Sequence, residues 1–161
     1  MNFRDKILQP ENLKNWRSNL RNSGRKLVVT NGCFDLLHLG HVTYLDNARK
    51  LGDALLVGIT GDQGVREIKG AGRPINTEND RAAVLAALQI VDVVYVFPET
   101  TALRFLAAVE PDIYVKGGDY TVDTINQEER RFLESVGGKI VILPVVRGHS
   151  TSALVEKISR L

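Results

Sequence analysis

A chain of 161 residues with 43% hydrophobic and 25% charged side chains fits one soluble globular domain. Its 21 basic and 19 acidic residues are interspersed and leave a net charge of +2, unlike the one-sided basicity of a nucleic-acid binder. The single cysteine, Cys33, excludes an internal disulfide, the polar stretch Met1–Lys14 lacks the apolar centre of a signal peptide, and no apolar run reaches the ~20 residues of a membrane helix. A cytoplasmic protein without membrane or nucleic-acid partners is therefore expected.

Residues 1–25 read as a helical extension, with Pro10 in the first turn and Leu13, Trp16 and Leu20 as its apolar stripe. Residues 26–161 form the main domain. Its first strand, Lys26–Thr30 (KLVVT), precedes a helix that aligns Val42, Leu45, Ala48 and Leu51 and closes at Gly52. Ala54–Thr60 (ALLVGIT) is the second strand. Ile68–Asn76 (IKGAGRPIN), with two glycines, a proline and two basic residues, reads as a mobile loop. A start resembling a capping box at Thr77–Asp80 opens a helix through Val84, Leu85 and Leu88. The pattern then repeats: strand Val91–Phe97, helix Thr101–Val109 closed by Pro111, strand Ile113–Lys116, helix Gln127–Val136 ended by Gly137 and Gly138, strand Lys139–Leu143, and helix Ser150–Ile158.

The strand runs are continuously apolar rather than alternating, as in strands covered on both faces. Strands alternating with helices predict an α/β fold. The expected architecture is a Rossmann-like, doubly wound parallel sheet of five strands with an extra N-terminal helix.

Ligands of such sheets bind at the carboxyl ends of the strands. The first such end reads Asn31-Gly32-Cys33-Phe34-Asp35-Leu36-Leu37-His38-Leu39-Gly40-His41 and carries two of the three histidines of the chain. Gly40 removes a Cβ near a helix start, where unpaired N–H groups and the helix dipole favour an anion. Two imidazoles there suit phosphoryl oxygens. If the attacking group is itself a phosphate, neither a general base nor a covalent nucleophile is required. Alignment and charge stabilisation suffice. Cys33 is therefore assigned to packing, and a His-x-Gly-His metal site lacks further ligands nearby.

The segment GCFDLLHLGH resembles the signature of the HxGH nucleotidyltransferases, a family that includes cytidylyltransferases, adenylyltransferases and, more distantly, class I aminoacyl-tRNA synthetases. The resemblance runs from residue 26 to about 158 and extends to ITGD at Ile59–Asp62, KGGDY at Lys116–Tyr120 and HSTSALV at His149–Val155. KGGDY and the KGAGRPIN loop are most similar to heptose-1-phosphate adenylyltransferases, the second domain of bifunctional heptose kinase/adenylyltransferases.

That resemblance implies AMP transfer from ATP, with Mg2+, to a sugar 1-phosphate, namely D-glycero-β-D-manno-heptose 1-phosphate of lipopolysaccharide synthesis. It implies His38, His41 and Lys69 as catalytic residues. Asn31, Gly32, Phe34, Gly40, Gly117, Asp119, Ser150, Thr151 and Ser152 are implied at the nucleotide, and Asp35, Arg73, Arg81 and Lys116 at the acceptor. Asp35 equally suits a turn or cap, and Ser150 a helix cap. No protein-built metal site is expected. A separate kinase would supply the substrate, and self-association is expected. The chain departs from the usual Ile-Ser-Ser/Thr-Thr pattern at His149 and Ser152, and Arg147 has no counterpart. Glycerol-3-phosphate cytidylyltransferase and FMN adenylyltransferase are the rival enzymes; a non-catalytic nucleotide-binding module is the rival of another class. A dinucleotide oxidoreductase lacks its G-x-G-x-x-G fingerprint here.

Overall fold

A computed structural model describes residues 2–118, 120–144 and 146–161. After a 3-10 turn at Phe3–Lys6, the elements run β1 (Ile7–Leu8), α1 (Pro10–Asn22), β2 (Leu27–Gly32), α2 (Leu39–Arg49), β3 (Ala54–Thr60), α3 (Asp62–Lys69) and α4 (Glu78–Ala87). They continue as β4 (Val93–Phe97), α5 (Leu103–Val109), β5 (Ile113–Gly117), α6 (Gln127–Ser135), β6 (Lys139–Leu143) and α7 (Thr151–Ser159).

The strands form one sheet in the order β1-β4-β3-β2-β5-β6, and all five pairings are parallel. Every residue of β3 is buried, which explains its unbroken apolar run. Successive strand residues point to opposite faces and feed two cores. Leu56 joins Leu13, Leu20, Phe105, Leu106 and Leu133 beneath α1, α5 and α6. Leu55 and Val57 join Leu45, Ala48, Ala82 and Leu85 beneath α2 and α4. From β2 the chain first builds outward through β3 and β4, then returns to place β5 on the other side. A crevice forms at the carboxyl ends of β2 and β5, where the order reverses.

The sheet has a sixth strand that the sequence pattern did not indicate. β1 is two residues long, inside the expected N-terminal extension, and pairs Ile7 with Val94 and Leu8 with Tyr95. Helix α3 was also unforeseen. Only Gly64 and Val65 are buried in it, and it absorbs Ile68 and Lys69, so the loop begins at Gly70. In α4, Thr77 caps the start as expected, accepting from the Asp80 amide, but Val84 is 52% exposed and the buried face is Arg81, Ala82, Leu85 and Ala86. No helix among the described residues is long and apolar enough to cross a membrane.

Candidate functional site

A cleft of about 700 Å³ opens at the reversal point. It gathers Asn31, Gly32, Phe34, Asp35, His38, Gly40, His41, Lys69, Arg73, Lys116, Gly117, Ser150, Thr151 and Ser152, from segments spread over the whole main domain. Arg81 does not line it, and Asp119 lies outside the described residues.

The two motif histidines both line it. His38 is the N-cap of α2 and His41 lies in the first turn, its amide donating to the His38 carbonyl at 2.9 Å. Their rings stack with centroids 3.8 Å apart and an interplanar angle of 22°. The Nδ1 atoms of both are buried without a hydrogen-bond partner among the described residues. Burial, reinforced by neighbouring His38, pushes His41 down to about 4, with the Leu36 carbonyl pulling the other way. Burial also lowers His38, and His149 adds to that shift. Both rings are thus neutral at pH 7 until a negative charge arrives.

Gly40 lines the cleft and also makes room within the protein: a Cβ there would lie 2.9 Å from His38 Nδ1 and 3.2 Å from the Cβ of His149. Gly117 works likewise, since its Cβ would fall 2.7 Å from the ring of Tyr44. That tyrosine is fixed by hydrogen bonds with Thr30 and the Val115 carbonyl.

Helix α7 brings the second anion-friendly element. Ser150 caps it by accepting from the Ala153 amide at 3.0 Å, and Thr151 Oγ1 donates to the Leu36 carbonyl at 3.3 Å, pinning the helix start to the histidine loop. The remaining first-turn amides have no partner within the helix.

Asp35 and Arg81 are both engaged within the protein. Asp35 takes hydrogen bonds from Arg73 Nε at 2.7 Å and from the Ile75 and Asn76 amides at 2.9 Å, and its side chain is 1% exposed. Burial alone would raise its pKa; the two amides and Arg73 outweigh that and hold it below the usual carboxylate value. Arg81 lies behind the cleft wall. Its guanidinium, wholly buried, donates to the Asn76 and Cys33 carbonyls and to Asp62 Oδ1 at 2.8 Å. Together they fold the 70–76 loop against the end of β2, so Arg73 is placed at the rim by Asp35.

On β5, Lys116 donates to Asn31 Oδ1 at 2.8 Å, and Tyr114 donates to the same oxygen at 2.6 Å. The ammonium lies 5.4 Å and 5.3 Å from the ring centroids of Tyr114 and Tyr120. Burial lowers the Lys116 pKa, while Glu129 opposes the shift.

A family model described as cytidylyltransferase-like matches residues 29–157. The chain belongs to the cytidylyltransferase-like family. Among curated relatives, the bifunctional protein HldE of Syntrophotalea carbinolica is 44% identical over 158 residues, covering 98% of this chain and 32% of that protein. HldE of Pseudomonas paraeruginosa is 51% identical over 138 residues, covering 86% of this chain and 29% of that protein. This cytidylyltransferase-like chain therefore spans under a third of the length of the curated relatives it matches. Among solved structures, the lipopolysaccharide core biosynthesis protein of Thermoplasma volcanium is 31% identical with a TM-score of 0.64, over 78% of this chain and all of that one. A pantoate-beta-alanine ligase from Francisella tularensis, 19% identical with a TM-score of 0.62 over 96% of this chain and 78% of that one, shares the fold.

Among the described residues of this family member, no group of three His, Cys, Asp or Glu side chains is placed to hold a metal ion. Its cleft is lined instead by nitrogen groups suited to phosphate: His38, His41, Lys69, Arg73 and Lys116. Of the two carboxylates that line the cleft among the described residues, Asp35 is spent on the loop and Glu129 on the Ala102 amide at 2.8 Å and the Tyr114 hydroxyl at 3.2 Å. A magnesium ion arriving with a nucleotide would be held by phosphate oxygens and water.

Sequence reasoning missed Tyr44, Thr101, Glu129 and any role for His149, all of which line the cleft. Only His149 carried a signal: it is the third of the three histidines and directly precedes the cap of α7.

Proposed function

We propose that this cytidylyltransferase-like chain is an adenylyltransferase that moves AMP from Mg–ATP to a sugar 1-phosphate and releases pyrophosphate. The acceptor we assign is D-glycero-β-D-manno-heptose 1-phosphate, which makes the product ADP-heptose, a precursor for lipopolysaccharide core. The observation that carries the reaction type is the stacked, unpartnered His38–His41 pair facing one cleft with the start of α7. Support for the acceptor comes from the KGGDY and HSTS segments, from HldE relatives at 44% and 51% identity, and from the lipopolysaccharide core protein of 31% identity.

In this reading an oxygen of the acceptor phosphate attacks the α-phosphorus of ATP. The bond from that phosphorus to the β-bridging oxygen breaks, and its electron pair leaves with pyrophosphate. The acceptor is already anionic, so no protein base is needed. His38 and His41 donate N–H groups to the phosphoryl oxygens, where charge builds in the transition state. Gly32 and the Phe34 backbone border the nucleotide, with Ser150, Thr151 and Ser152 receiving its phosphates at the helix start. Gly40 and Gly117 act one step back, by making room for His38 and Tyr44. Asn31 holds Lys116, and Lys69, Arg73 and Lys116 neutralise the acceptor phosphate.

A kinase acting on the heptose must supply the acceptor, and we place the reaction in the cytoplasm, with the 26–161 segment as the catalytic domain and self-association of that domain. The test is a pyrophosphate-release assay across nucleotides and acceptors. Turnover is expected with ATP plus the heptose 1-phosphate; equal or better turnover with CTP plus glycerol 3-phosphate would overturn the assignment. ATP binding without pyrophosphate release on any phosphorylated acceptor would favour a binding module.

A further inference from the structure

We infer that His149 is a third imidazole of the reaction centre, donating a hydrogen bond to the departing pyrophosphate. The inference rests on the nucleotidyl-transfer reading above. His149 lines the same cleft as the motif pair, and its ring lies 6.3 Å from that of His38 at an interplanar angle of 25°. His38, stacked on His41 at 22°, thus has an imidazole neighbour from each of the two helix starts.

The position of His149 is fixed from below. Its Cβ occupies the space that a side chain at Gly40 would need, at 3.2 Å from the missing Cβ. The backbone is therefore anchored against α2 while the side chain remains exposed. Residue 149 also directly precedes the cap of α7. An anion seated on the first-turn amides of that helix lies beside this imidazole. The cationic residues assigned to the acceptor come from other segments: Lys69 and Arg73 from the end of α3 and its loop, Lys116 from β5. His149 thus belongs with the elements that hold the triphosphate. As the bond to the β-phosphate breaks, the electron pair and new charge pass to pyrophosphate, and an N–H donor beside it lowers the barrier without transferring a proton.

The test compares His149→Ala, His149→Phe and His149→Gln in steady-state pyrophosphate release with ATP and the heptose 1-phosphate, with pyrophosphate added as product inhibitor. For His149→Ala, kcat/KM for ATP is expected to fall and the inhibition constant of pyrophosphate to rise, each by about tenfold, while the KM of the acceptor stays within about twofold. Gln, which retains an N–H donor, should recover part of the loss, and Phe, which keeps only the ring, should not. Full activity in the Phe variant would reduce His149 to a packing residue and overturn the inference. So would an unchanged pyrophosphate constant in the Ala variant. If wild type is active, His41→Ala is inactive and His149→Ala is normal, nucleotidyl transfer stands and this inference falls. Failure of wild type itself to release pyrophosphate would remove the underlying reading.

Discussion

Two charged neighbourhoods border the cleft, and they differ in how their polar groups are used. Around Asp35, the carboxylate, Arg73 and two loop amides satisfy one another, and Arg81 beside them spends its donors on Cys33, Asn76 and Asp62. Around Gly40, the Nδ1 atoms of His38 and His41 are buried with no partner among the described residues. A satisfied network stabilises a loop; an unsatisfied one carries a desolvation cost that a ligand can offset. The contrast separates residues that build the site from residues that act in it, which residue type alone does not do.

Replacing His41 by Ala is the largest test of that contrast. Turnover should fall by about 10²–10³-fold with thermal stability unchanged or slightly raised, because a transition-state donor is lost and an unpaired buried group removed. Steady-state kinetics beside a melting curve checks both halves; a parallel loss of fold would erase the distinction. Arg81→Met should behave oppositely. It strands Asp62 and two carbonyls and should lower unfolding free energy by about 3 kcal/mol in a denaturant titration, with kcat of the folded fraction nearly retained. A selective loss of kcat would return Arg81 to the chemistry.

Asp35→Asn sits between the two. It weakens the anchor of Arg73 and of the Ile75 and Asn76 amides, so a cost of about 1–2 kcal/mol is expected, together with a rise in acceptor KM larger than any rise in ATP KM. Equal effects on both substrates would show that the loop does not discriminate between them. Proton linkage tests the histidine side without touching the loop. The folded pKa of His41 is depressed from 6.5 to about 4, so the stability it contributes is complete above about 6.5 and drains away as pH falls toward 4. Melting temperatures from pH 7 to 4.5 should fall more for wild type than for His41→Asn. ATP should narrow the gap, because its charge favours the imidazolium; superimposable curves would remove His41 from the acid sensitivity.

Much of the fold was legible because it is written in local patterns. Five strands print as continuous apolar runs, and the caps at Thr77 and Ser150 lie where side-chain acceptors are expected. Helix α3 was hidden because it is only eight residues long, mostly polar and runs straight into the glycine loop at Gly70, and β1 because two residues carry no periodicity. The His-x-Gly-His turn was readable for the same local reason. The duties of Asp35 and Arg81 were not, since their partners Arg73 and Cys33 lie 38 and 48 positions away. Glu129, bonded to an amide 27 residues earlier, was equally out of reach.

One small element has a consequence beyond the cleft. Two-residue β1 covers the margin of β4, whose sequence VVYVF is strongly β-forming, and Lys6 secures it by donating to the Leu88 and Val91 carbonyls at 3.0 and 2.8 Å. Trimming the chain before α1 would bare that margin to strands of other molecules, and the harm would emerge as clumping during expression and storage before it emerged in kinetics.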